Sequence, residues 1–228
     1  MSFWEDPLVG NKIITLMAAL VLVLQIMMVA QRGLVTNIRA FGMQSFLLAC
    51  IGFTIAHFNH APHIYIAAAM TLVFKAIALP LILERLVNKI DVRQEIEPLV
   101  NVPISVITAG LLTLLAYVVA ESFHRTGEYT GPATLGHNTL AVAIAVFLIG
   151  FFMMINRRKA LTQVLALLCL ENGILLAAIS LTYGMPLIVE VGVFFDVLVA
   201  ALLLAILIFK IRETFDSMDV TRLSRLRG

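Results

Sequence analysis

Four ionisable side chains stand inside apolar stretches of this 228-residue chain: Lys75, Glu171, Glu190 and Asp196. Glu171 lies in the run Val164-Leu165-Ala166-Leu167-Leu168-Cys169-Leu170-Glu171-Asn172-Gly173, and Asp196 lies within residues 186–209. At 1.5 Å per residue, both acids fall about 15 Å from either end of their runs, near the middle of a bilayer's hydrocarbon. A carboxylate there costs at least ~2.5–3.5 kcal/mol on a lipid-facing helix. Two such residues on successive helices therefore point to a buried polar pathway and not to lipid contact. Desolvation disfavours the charged form of acids and amines alike, which brings both toward titration near neutral pH. Groups poised in that way can take up and release protons, which is the chemistry of a relay.

The turn Tyr183-Gly184-Met185 between these two helices is short, so antiparallel packing brings Glu171 and Asp196 to equal depth. Glu190 precedes Asp196 by six residues, about 9 Å along a helix. It is either a further rung or a residue snorkelling toward the surface. Lys75 sits mid-run with Pro80 five residues later. A proline there cannot donate to the Ala76 carbonyl, which predicts a bend beside the lysine. Lys75 either extends the path or forms a structural ion pair with one of the acids. For Glu171 and Asp196 the alternative role is a neutral, hydrogen-bonded acid that serves helix packing.

The elements that must hold these groups are transmembrane helices. Hydrophobic residues make up 61% of the chain, and the mean hydropathy is +1.00. Seven apolar spans are predicted, at about 11–30, 41–58, 61–83, 99–120, 139–155, 160–182 and 186–209. The runs are continuous and lack the alternation of a barrel wall, so the fold class is an all-α integral membrane protein. Pro62, Pro98 and Pro186 fall near span starts, where a missing N–H breaks no hydrogen bond. The stretch 84–97 is expected to be a charged helical extension, 121–138 an outer loop, and 212–228 a docking tail. The acidic N-terminal residues, with no small-residue cleavage site after the first span, read as mature sequence.

Basic residues predict the orientation. Thirteen of the sixteen Lys and Arg fall in one set of loops and the C-terminal segment, two (Lys12 and Arg125) on the opposite side, and Lys75 within a span. The N-terminus is therefore expected outside and the C-terminus in the cytoplasm. Spans one to three also align weakly with spans five to seven, a 3+1+3 internal repeat that sets Lys75 against Asp196.

Other chemistry finds little support. His57, His60 and His63 share one short loop, but Pro62 interrupts any regular spacing and no cysteine or carboxylate stands nearby in sequence; a solvated loop is expected and no metal site. Cys50 and Cys169 lie inside spans as small packing residues. No phosphate loop, dinucleotide fingerprint, nucleophile elbow or haem-attachment motif occurs. No catalytic residue and no cofactor are expected in this chain, and no nucleic acid among its partners.

The segment Asn156-Arg157-Arg158-Lys159, leading to Cys169-Leu170-Glu171-Asn172 with a second acid in the next span, resembles a known family. Residues 138–228 look like the K subunit of complex I, the respiratory NADH:quinone oxidoreductase. By that resemblance Glu171 takes the place of the first membrane acid and Asp196 that of the second, although Asp is one methylene shorter than the family's Glu. The chain as a whole, with residues 1–137 as a four-helix N-terminal region, is similar to component E of hydrogenase-4. The resemblance implies a non-redox membrane subunit of a complex I-like, group 4 nickel–iron hydrogenase such as formate hydrogenlyase. Its partners would be antiporter-like and quinone-oxidoreductase-H-like subunits in the bacterial inner membrane, with iron–sulfur clusters and the nickel–iron centre in other subunits. The rival expectations are a subunit of a multisubunit cation/proton antiporter and a purely structural membrane scaffold.

Overall fold

The computed structural model describes residues 7–59, 62–90, 99–125, 137–157 and 160–181, all of them helical or in short connections. The helices are α1 (Pro7–Ala30), α2 (Leu34–Asn59), α3 (Pro62–Met70), α4 (Leu79–Ile90), α5 (Val102–Arg125), α6 (His137–Asn156) and α7 (Ala160–Leu181). Between α3 and α4 the backbone winds as a π-helix over Thr71–Ala78, so residues 62–90 form one continuous rod. Six stretches among the described residues are long and apolar enough to cross a bilayer: Val9–Ala30, Leu34–Phe58, Ile64–Asn88, Val102–Phe123, Asn138–Asn156 and Leu161–Ser180. They correspond in order to the first six predicted spans. The seventh, 186–209, lies outside the described residues, and with it Glu190 and Asp196.

Two boundaries move appreciably, and at one of them α5 runs on to Arg125, five residues into the stretch expected as an outer loop. The second helix begins at Leu34, seven residues before the predicted start, and the connection after α1 shrinks to Gln31–Gly33. Arg39 therefore belongs to a helix and not to a loop. Its Nε donates to Glu84 Oε1 at 2.8 Å, on the charged stretch that continues α4 to Ile90. The arginine is well exposed, so this ion pair contributes little to stability.

A core forms where the apolar faces of α1, α2, α6 and α7 meet. Ile14, Ala18 and Val21 repeat at i, i+4 and i+7 on α1, and they pack with Leu48, Ile51 and Ile55 of α2, Ala143 and Val146 of α6, and Leu176 of α7. By contrast, α5 leaves Ile104, Ile107, Leu111, Leu114, Leu115 and Val118 exposed, an apolar face suited to lipid.

Helices in lipid gain no hydrophobic force from one another, so small residues that admit close approach decide which faces meet. Between α6 and α7, a Cβ on Gly173 would stand 2.5 Å from the Phe147 nitrogen, and one on Gly150 would stand 2.7 Å from Leu170 Cα. The two contacts keep one register, as an antiparallel pair requires. Gly173→Val is expected to separate the helices and to cost about 1–3 kcal/mol or more through overpacking. Thermal unfolding in detergent measures that loss, and a variant as stable as the wild type would contradict the packing.

Beside Lys75, where Pro80 predicts a bend, the backbone is a π-helix. Leu79 N–H bonds to the Phe74 carbonyl, five residues back, and Pro80 supplies no N–H to restore the α pattern. Gly42 of α2 packs on this spot: a Cβ there would lie 3.0 Å from Pro80 Cγ and 3.3 Å from the Ala76 carbonyl oxygen.

Candidate functional site

Lys75 sits in the middle of the π-helical segment, and Glu171 sits eleven residues into α7. The structure brings them together: Lys75 Nζ lies 3.2 Å from Glu171 Oε1, with the side chains 2% and 5% exposed. Of the two expectations for Lys75, pairing with an acid is therefore the observed arrangement, and the acid is Glu171. Both residues are near the middle of their spans. Two unpaired charges at that depth would each cost several kcal/mol, whereas together they present no net charge to the interior. Glu190 and Asp196, the other two predicted members, lie outside the described residues.

Next to the pair runs a chain of neutral polar side chains that a search for titratable groups passes over. Asn172 Nδ2 donates to Gln44 Oε1 and to Ser45 Oγ, each at 3.1 Å. Gln44 Nε2 donates to Gln25 Oε1 at 2.8 Å and to the Val21 carbonyl at 3.4 Å. Gln25 Nε2 in turn reaches Met153 Sδ at 3.4 Å. All four polar residues are fully buried, and together they tie α1, α2, α6 and α7. Their signal in the sequence was the cost of an amide or hydroxyl inside an apolar span, the same argument applied to the acids but with smaller magnitude.

At one end of the bundle the 31–33 connection, residues 99–101 and residues 156–157 meet. Asn156 accepts from Val100 N–H at 2.8 Å through its side chain and from Leu99 N–H at 3.0 Å through its carbonyl, and its Nδ2 donates to Ser105 Oγ. Arg157, which the sequence places among loop cations, turns inward and is buried. Its Nη2 donates to the carbonyls of Met28 and Gln31 at 3.2 and 3.5 Å. The Met28 carbonyl belongs to the last turn of α1 and the Gln31 carbonyl, just past it, also accepts from Asn37 Nδ2; a cation here also meets the negative end of the helix dipole. Burial pulls the Arg157 pKa down to about 10, still well above neutral pH, so the guanidinium keeps its charge.

The cysteines serve packing. Cys169 is buried with its Sγ 3.8 Å from Met28 Sδ, and the Cys50 carbonyl accepts from Thr54 Oγ1 at 2.8 Å. His57 is exposed in the last turn of α2 with its ring edge-on to Phe58. The other four histidine side chains lie outside those described.

Fold and site together define a multi-pass helical membrane protein with a buried lysine–glutamate pair at mid-depth. Comparison with known proteins narrows the class. The chain is 31% identical over 203 residues to the uncharacterized protein Rv0085 of Mycobacterium tuberculosis, which covers 89% of this chain and 90% of that one. It is 26% identical over 220 residues to hydrogenase-4 component E of Escherichia coli K12, covering 96% of this chain and 99% of the relative. The Shigella flexneri protein of that name gives the same figures. No family model and no solved structure matches. The chain belongs to the hydrogenase-4 component E family.

Proposed function

We propose that this chain is a non-redox subunit in the membrane arm of a complex I-like hydrogenase of the formate hydrogenlyase type, and that the Lys75–Glu171 pair carries protons within it. The observation that carries the reading is a charged pair buried where hydrocarbon makes charge costly, in a chain whose relatives are named as a hydrogenase component. A proton arriving on Glu171 cancels the charge that holds the Lys75 ammonium. An isolated ammonium in that setting is unfavourable by several kcal/mol, so the lysine must find another acceptor or release its own proton. Release hands one proton onward, and transfer of the Glu171 proton to the neutral amine restores the pair. Asp196 on the next span is the proposed following acceptor, with Glu190 as a rung toward the outer face.

In this scheme the N-terminus is outside, the C-terminus is cytoplasmic, and the membrane is the bacterial inner membrane. Electrons travel through iron–sulfur clusters and a nickel–iron centre in partner subunits, and antiporter-like and quinone-oxidoreductase-H-like subunits flank this one.

The test is purification of the intact membrane complex through an affinity tag on this chain, with identification of every subunit. Cluster-bearing and nickel-bearing subunits are expected to copurify. Their absence, together with sodium-dependent proton exchange in vesicles, would replace the proposal with a cation/proton antiporter.

A further inference from the structure

The ion pair joins two helices that meet through a third. Within one turn of α2, Gly42 packs on Pro80 and the Ala76 carbonyl, immediately after Lys75, while Gln44 and Ser45 hold Asn172, immediately after Glu171. We infer that Gln44 and Asn172 are positioning residues whose hydrogen bond fixes the rotation of α7 so that Glu171 meets Lys75.

Three observations carry this. Helix faces in a membrane are selected by close packing and interhelical hydrogen bonds, because no hydrophobic force acts between helices. Asn172 follows Glu171 directly on a helix of 3.6 residues per turn, so an anchored Asn172 leaves Glu171 one direction in which to point. Finally, Gln44 is itself held, by Gln25 Oε1 and the Val21 carbonyl, and Gln25 extends to Met153 of α6. The anchor is thus a braced network and not a single flexible contact. Amides and hydroxyls donate and accept without titrating near neutral pH. That suits the chain to orienting its charged neighbours and distinguishes it from a relay.

The proposal deepens the functional reading above, but it concerns the geometry of the pair and stands whether or not protons cross the membrane. Its test is modification of Glu171 by dicyclohexylcarbodiimide, an apolar reagent that attacks protonated buried carboxylic acids. The modification is measured at pH 7 on the full-length chain in its native membrane complex, by mass spectrometry of the peptide carrying Glu171. Misaligning the pair weakens the hold of the Lys75 ammonium on the carboxylate. Asn172→Leu and Gln44→Leu are each expected to raise the modification rate about threefold or more, within the usual range for coupled neighbours. The discriminating arm repeats them in a Lys75→Met background, where the rate is already high. A positioning role acts through the lysine, so the added substitution changes nothing further there. An equal rise in both backgrounds would indicate general loosening and overturn the inference, as would no rise in either, or a Glu171 unreactive even in Lys75→Met. Should the leucine variants fail to assemble, Ser45→Ala, which removes one of the two acceptors of Asn172, replaces them. It is expected to give about a twofold rise that vanishes without Lys75, and an unchanged rate would overturn the inference.

Discussion

Glu171→Gln is expected to abolish coupled proton movement while the complex still assembles. Glutamine has nearly the same shape as glutamate, and its carbonyl can still accept from the Lys75 ammonium that lies 3.2 Å from Glu171 Oε1. What it lacks is a titratable proton. The substitution therefore removes the proposed chemistry and keeps the shape of the side chain, at the cost of leaving the Lys75 ammonium with a neutral acceptor in place of its counter-charge. In vesicles reconstituted with the purified complex, hydrogen-linked proton uptake should fall at least tenfold, about 1.4 kcal/mol or more if read as a lost step in the barrier. Glu171→Asp keeps the charge on a side chain one methylene shorter and should retain part of the activity. An assembled glutamine variant that pumps at the wild-type rate would remove Glu171 from any proton path and leave the pair a structural contact.

Lys75→Met has the larger consequence for stability. It leaves the Glu171 carboxylate buried without its counter-charge, and breaking a buried pair from one side typically costs about 3–5 kcal/mol. The second substitution tests the cause. In Lys75→Met/Glu171→Gln no formal charge remains, so most of the loss should be recovered; two independent contacts would instead add their costs. The pH dependence has a definite sign. A protonated Glu171 needs no cation, so the deficit of the single variant should narrow as pH falls and widen as pH rises. Thermal unfolding of the complex in detergent at several pH values measures both effects. A single variant as stable as the wild type across that series would show that Lys75 and Glu171 do not depend on each other energetically.

These expectations separate what is local along the chain from what is not. Residues 41–58 and 160–181 are helical for reasons visible in their own composition, and the apolar runs mark the six described spans to within a few residues at most ends. The start of α2 departs because Thr36, Asn37 and Arg39 lower the local hydropathy without breaking the helix. Asn37 is buried with its Nδ2 on the Gln31 carbonyl, and Arg39 reaches Glu84. Hydropathy measures preference for lipid, and a helix can begin before it enters lipid. Pro80 marked the backbone beside Lys75 as a place where the α pattern loses a donor, because a missing N–H is a local fact; the π-helical form, with Leu79 N–H on the Phe74 carbonyl, was not legible from one proline.

By itself, then, the amino-acid sequence determined the helical membrane class, the order of the spans, and the presence of a lysine and a glutamate where hydrocarbon penalises charge. Only the tertiary structure decided that Lys75 pairs with Glu171, that Asn172 is anchored by Gln44 and Ser45, and that Arg157 turns inward to the carbonyls of α1. The physical reason is that apolar helices look alike on every face to a hydropathy scale. Which faces meet is settled by a few glycines and buried polar groups acting between helices far apart along the chain.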